Sequence, residues 1–97
     1  FYFNELCDVN IGAEDYLELA KKCIFIVIED IPKFNNEKSN QQNRFITLID
    51  ILYDKKIPLL ISSESSFDSL GSSKILKEPF KRTISRLYEL TSPNINI

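Results

Sequence analysis

The chain has 97 residues, of which 43% are hydrophobic and 27% charged, and its formal net charge is −2. This length makes one small domain with a single modest core. Because acids and bases are mixed along it, and no apolar stretch approaches the ~20 residues of a membrane span, we expect no nucleic-acid partner and no integral membrane segment.

The first residues, "FYF" at 1–3, alternate in a way that is typical of the middle of a strand, so we interpret the chain as part of a longer protein. The next segment, 13–22, has apolar residues at helical spacing. Acids lie at its start and lysines at its end, which suits the helix dipole. We therefore predict a strand followed by a helix.

A second strand is predicted in "CIFIVIED", 23–30, whose β-branched apolar run is typical of a strand buried on both faces of a parallel sheet. It ends on Glu29 and Asp30, a position where paired acids can ligate Mg²⁺ beside bound phosphates. Only Gly12 and Gly71 are present, and neither begins a GxxxxGKS/T loop. We favour solvated strand-end acids, and the catalytic pair is the alternative.

A second helix is predicted after residue 40, with one apolar stripe formed by Phe45, Leu48, Ile49 and Leu52. The third buried strand is "IPLLIS", 57–62, in which we expect Leu60 and Ile61 to face the core. The serine-rich segment 63–78 is predicted as a mobile loop.

The last helix begins near Pro79, and its expected buried face is Phe80, Ile84, Leu87 and Tyr88. Residues 93–97 are predicted as a frayed tail. The whole order is strand, helix, strand, helix, strand, helix. We therefore predict an α/β fold, a small layered domain of about three short strands alternating with three helices.

Two arginines of the last helix, Arg82 and Arg86, lie one turn apart, close enough to hold one anion between them. Pairs of Glu78 with Arg82 and of Arg86 with Glu89 would instead form a surface charge ladder. The residues alone favour neither interpretation.

The two cysteines, Cys7 and Cys23, lie in apolar settings, and the sequence has no histidine. With two cysteines that lack a CxxC spacing and no histidine, we expect no zinc ligation and predict no metal site. We expect both thiols to be reduced and largely buried.

Six segments together resemble the C-terminal part of the ZapE and mitochondrial lactation-elevated ATPase family, whose members are AFG-type, AAA-like P-loop ATPases. In chain order these segments are "FYFNELC" (1–7), "IGAEDYLELA" (11–20), "DIP" (30–32), "NRFITLIDILYD" (43–54), "LLISSES" (59–65) and "FKRTISRL" (80–87). They occur in order from residue 1 to residue 87, with similar gaps, which would make 1–97 one C-terminal segment of a larger ATPase.

The resemblance implies a parent that binds and hydrolyses ATP with Mg²⁺ to act on protein clients, in cell division or protein quality control. It implies a place in the bacterial cytoplasm or the mitochondrial matrix, division-machinery proteins as partners, and a homo-oligomer as one assembly. Its phosphate-binding loop and Walker-B acids lie upstream, so we expect no cofactor-binding residues here and no ATP binding or hydrolysis by this chain alone.

The family's "RTxSRL" arginines match Arg82 and Arg86, which become candidates for a sensor or finger role towards the γ-phosphate. Arg44 is a weaker match. The alternative to an ATPase segment is a non-catalytic α/β module whose helices bind a protein partner.

Overall fold

A computed structural model describes residues 1–8 and 11–91, and within these ranges the backbone forms four α-helices and two strands. In chain order they are α1 (Phe3–Cys7), α2 (Ala13–Lys22), β1 (Ile26–Ile31), α3 (Ser39–Asp54), β2 (Leu59–Ser63) and α4 (Lys77–Thr91). The tail predicted to fray, 93–97, lies outside the described residues. No helix in the described ranges is both long and apolar enough to cross a bilayer.

Strands β1 and β2 pair in parallel, with Val27 opposite Leu60 and Ile28 opposite Ile61. Helix α3 lies between them in the chain, as parallel pairing requires a crossover connection. The predicted α/β class is therefore confirmed. The register shifts between Ile28 and Ile31, where Asp30 has a φ of 61°.

The predicted first strand is wrong except at one residue. Tyr2 forms an isolated parallel bridge with Glu29, and helix α1 begins at the next residue. The helix starts here because the Tyr2 N–H donates to Oε1 of Glu5 at 2.7 Å, which satisfies a donor that a helix start leaves open. The Glu29 N–H also donates to the Phe1 carbonyl at 2.8 Å, so the first residues lie along β1 without forming a strand.

The predicted stripe of α3 is confirmed, because Phe45, Leu48, Ile49 and Leu52 have no exposed surface. Phe45 belongs to a cluster of phenylalanine rings from α1, α3, α4 and the segment after β1, with ring centroids 5.4 to 5.7 Å apart; its members are Phe3, Phe34, Phe45 and Phe80. Such pairs add roughly 0.5–1.5 kcal/mol each beyond their buried area. These rings join the helices into one core.

The prediction for β2 is wrong at Leu60, which is 58% exposed, while Leu59 is 3% exposed. Side chains alternate between the two faces of a strand, and in the described residues only one face of the two-stranded sheet is covered. Ile61 is partly buried.

Helix α4 buries Phe80 and Leu87 as predicted, and Ile84 is partly buried, but Tyr88 is 46% exposed. Thr83 is the fully buried residue in its place. Tyr88 points away because its hydroxyl donates to Asp68 Oδ2 at 2.9 Å.

The serine-rich segment predicted as a mobile loop is anchored to the core. Gln42 of α3 is fully buried and bonds two of its serines, accepting from the Ser73 N–H at 2.9 Å and donating to Ser72 Oγ at 2.7 Å. The Phe34 N–H donates to the Leu70 carbonyl at 2.6 Å. The segment between β2 and α4 therefore has a defined path.

Candidate functional site

Arg86 is held by two residues of α3. Its Nη1 donates to Oδ1 of Asp50, and its guanidinium carbon lies 4.7 Å from the centre of the Tyr53 ring. The side chains are 25% exposed for Arg86 and 35% for Asp50. A part-buried ion pair stacked on an aromatic ring fixes the plane of the guanidinium. Arg86 therefore has partners within the chain and does not project freely into solvent.

The alternative interpretation, a surface ladder pairing Glu78 with Arg82 and Arg86 with Glu89, does not form among the residues that the structure describes. Glu78 pairs with Lys81 at 3.0 Å, and Glu89 lies close enough to Tyr53 to affect its pKa. Interaction of the Tyr53 hydroxyl with the Glu89 carboxylate raises the pKa of Tyr53. Arg86, which lies over the Tyr53 ring, is three residues from Glu89 on α4.

Arg82 lies one turn before Arg86 on α4 and is exposed. Its side chain makes no hydrogen bond or ion pair with any of residues 1–8 and 11–91. Thr83, next to it, is fully buried, so Arg82 projects from the solvent side of the helix. The structure therefore distinguishes the two arginines: one is held in place, and the other is available to a ligand.

Arg44, the weaker candidate, bonds α1. Its Nη1 donates to the Cys7 carbonyl at 3.1 Å, near the end of the helix where carbonyl groups lack intrahelical partners. This contact joins the start of α3 to the end of α1. Arg86, by contrast, bonds α3 through Asp50, which lies further along that helix.

Glu29 and Asp30 lie near the end of β1, and both are exposed. The Asp30 N–H donates to Ser62 Oγ at 3.1 Å, which joins the ends of the two strands. No group of three or more metal-ligating side chains occurs in the part of the chain that the structure describes. The geometry agrees with solvated strand-end acids.

The thiols of Cys7 and Cys23 differ in how deeply they are buried. Cys7 is fully buried, and burial raises its pKa to about 12, so almost none of it is the reactive thiolate at neutral pH. Burial also raises the pKa of Tyr16, whose hydroxyl donates to the Leu6 carbonyl at 2.5 Å. Cys23 is only partly buried, and both are free thiols. The expected burial is thus confirmed for Cys7 and incomplete for Cys23.

Residues 1–96 match the AFG1-like ATPase family. The chain belongs to that family. It is 44% identical over 64 residues to an uncharacterized protein of Schizosaccharomyces pombe, which covers 66% of this chain and 14% of the relative. It is 37% identical over 68 residues to Lactation elevated protein 1 homolog B of Danio rerio, and the match covers 70% of this chain and 14% of the relative.

The cell division protein ZapE of Escherichia coli is 29% identical to this AFG1-like chain over 90 residues, which cover 93% of the chain and 24% of ZapE. The chain thus spans between about a seventh and a quarter of the length of the curated relatives it matches. No solved structure matches it. The expected family is confirmed, and residues outside this chain make up most of each relative.

Sequence reasoning identified the arginines but missed Asp50 and Tyr53, the residues that hold Arg86. A signal was present, because the two are three residues apart on α3 and therefore share one face of that helix. An acid beside an aromatic ring on one face is a suitable partner for an arginine on a neighbouring helix.

Proposed function

We propose that the parent of this chain hydrolyses ATP with Mg²⁺, and that Arg82 and Arg86 act at the γ-phosphate in sensor or finger roles. Membership of the AFG1-like ATPase family supports the activity. The observation that carries the assignment of residues is the contrast on α4: Arg86 is oriented by Asp50 and Tyr53, while Arg82 is exposed one turn away.

The arginines would act on charge that builds up during phosphoryl transfer. The transferred group carries negative charge on its peripheral oxygens in the transition state, and a guanidinium brought to it stabilises that charge. Arg82 would make this contact, because its donors are not used by the described part of the chain. Arg86 has donors beyond the one given to Asp50 and a fixed plane, which suits a sensor that responds to the nucleotide. Arg44 is a weaker candidate because it already bonds the Cys7 carbonyl.

The groups that hold ATP and Mg²⁺ would come from the rest of the parent, since the chain has no GxxxxGKS/T sequence. The hydrolysis would act on protein clients, in cell division or in protein quality control, within the bacterial cytoplasm or the mitochondrial matrix. Similarity to the cell division protein ZapE of Escherichia coli supports the first of these roles. A homo-oligomer would allow the arginines to act on a neighbouring subunit's nucleotide.

Steady-state ATP hydrolysis by the full-length protein tests this proposal. Arg82→Ala should lower turnover by roughly 10³- to 10⁵-fold, and Arg82→Lys should recover little because lysine lacks the planar fork. The matched control is Lys21→Ala, which removes an exposed helical cation far along the chain from α4. Turnover of Arg82→Ala within about threefold of the wild type would contradict the role.

A non-catalytic protein-interaction module is the second candidate, because exposed apolar side chains lie on and beside the sheet. Leu60 is 58% exposed and Phe25 is 51% exposed. The coding sequence upstream of this segment discriminates the two. A GxxxxGKS/T motif followed by a strand ending in Asp-Glu supports the ATPase, and the absence of both supports the module.

A further inference from the structure

A cavity of about 590 Å³ lies between the serine-rich segment and the first turns of α4, away from the contacts of Arg86. We call it the α4 pocket. Its rim carries Lys74, Lys77 and Lys81, and its apolar lining is formed by Phe67, Phe80 and Ile84. This volume is within the range of roughly 300–1,000 Å³ that is usual for ligand sites.

One wall of the α4 pocket, residues 71–74, is fixed by the core. Gly71 has a φ of 76°, and a Cβ there would lie 2.7 Å from the Phe34 carbonyl oxygen, so only glycine fits without strain. Two residues further on, the Ser73 N–H donates to the buried Gln42, and the Lys74 N–H donates to Asn36 Oδ1 at 2.9 Å. The wall therefore needs no reordering to receive a ligand, which lowers the entropic cost of binding.

The charge of the α4 pocket is opposite to that of the chain. Three lysines face one lining carboxylate, Asp68, which already accepts a hydrogen bond from Tyr88, although the whole chain carries −2. Lys81 also contacts Glu78 at 3.0 Å, but that pair is 65% and 78% exposed and is therefore weak. The rim thus attracts an anionic ligand.

The wall formed by residues 71–74 does not provide the backbone donors of a typical phosphate-binding loop. Phosphate sites usually present consecutive free backbone N–H groups. Here the N–H groups of Ser73 and Lys74 are already committed to Gln42 and Asn36. The attraction of the pocket for an anion therefore comes from the lysine side chains at its rim, while the lining below them is apolar. A carboxylate-rich ligand with an apolar side chain satisfies both surfaces.

We propose that the α4 pocket binds an acidic peptide segment of a protein partner, with an aromatic or large aliphatic side chain of that segment placed on Phe67 and Ile84. The carboxylates on either side of this anchor face Lys74, Lys77 and Lys81. The binding does not depend on ATP hydrolysis, so it can be true or false independently of the proposed arginine roles.

Fluorescence anisotropy on the full-length protein without nucleotide tests this inference, with the labelled peptide DEEFEED as the probe. We expect saturable binding that weakens at high salt, and the double variant Lys77→Gln/Lys81→Gln should lower the affinity about 10-fold or more. The peptide DEESEED, which lacks the aromatic anchor, should bind more weakly than the probe.

The matched control is Lys21→Gln/Lys22→Gln, since Lys21 pairs with Glu18 on α2 as Lys81 pairs with Glu78 on α4. This control should bind the probe like the wild type. Equal losses in both double variants, or no saturable binding by the wild type, would overturn the proposal. Displacement of the probe by inorganic pyrophosphate at equal or lower concentration than by unlabelled peptide would overturn the choice of a peptide.

Discussion

Removing Asp50 should destabilise the packing of α4 on α3, because it leaves the part-buried Arg86 without its ionic partner. Exposed ion pairs are worth about 0.2–1 kcal/mol, whereas breaking a buried pair costs about 3–5 kcal/mol. With side chains 25% and 35% exposed, this pair is intermediate. We therefore expect a coupling free energy of about 1–3 kcal/mol between Asp50 and Arg86, compared with a total stability of roughly 5–15 kcal/mol for a domain.

A double-mutant cycle measures this coupling: urea unfolding of the wild type, Asp50→Asn, Arg86→Gln and the double variant. The control cycle uses Glu78 and Lys81, whose pair is 65% and 78% exposed, and should give less than about 0.5 kcal/mol. A coupling for Asp50 and Arg86 that does not exceed that of the control cycle would refute the view that Arg86 is held by α3.

Two further predictions concern the core and the thiols. Leu48→Ala should lower the free energy of unfolding by about 2–5 kcal/mol, because Leu48 is fully buried. Leu60→Ala should change it by less than about 1 kcal/mol, because Leu60 is 58% exposed. Similar urea midpoints for the two variants would contradict the assigned faces. With an aromatic disulfide reagent, Cys23 should react in the native protein, whereas Cys7 should react only after unfolding. The reason is that Cys7 is buried and that burial raises its pKa to about 12. Labelling of Cys7 at the rate of Cys23 would show that Cys7 is accessible.

The buried face of α3 was predictable because its apolar residues repeat at helical spacing over about two turns, from Phe45 to Leu52, and mark one face of the helix. Strand β2 gave no such signal. Its apolar residues are consecutive, so the sequence cannot decide between Leu59 and Leu60, and only the covering helices select Leu59. The strand predicted at "FYF" was wrong for a local reason, because Glu5 accepts a hydrogen bond from the Tyr2 N–H and a helix begins at the next residue.

The candidate site was predictable in part. Spacing placed Arg82 and Arg86 one turn apart on the same helix, and the structure keeps that arrangement. The difference between their surroundings comes from tertiary packing. Asp50 and Tyr53 are more than thirty residues away in the chain and reach Arg86 only when α3 packs on α4. The anchoring of the serine-rich segment by Gln42 was hidden for the same reason, because a polar residue in a helix is ordinarily expected to face solvent.

The most direct test of the arginine assignment compares two ligands of the full-length protein, MgATP and the transition-state mimic MgADP with aluminium fluoride. A residue that stabilises charge only in the transition state contributes to the mimic and not to the ground state. We therefore expect Arg82→Ala to weaken binding of the mimic by about 10³-fold while changing the ATP dissociation constant by no more than about threefold. Equal changes for both ligands, or none for either, would contradict the proposal that Arg82 acts at the γ-phosphate.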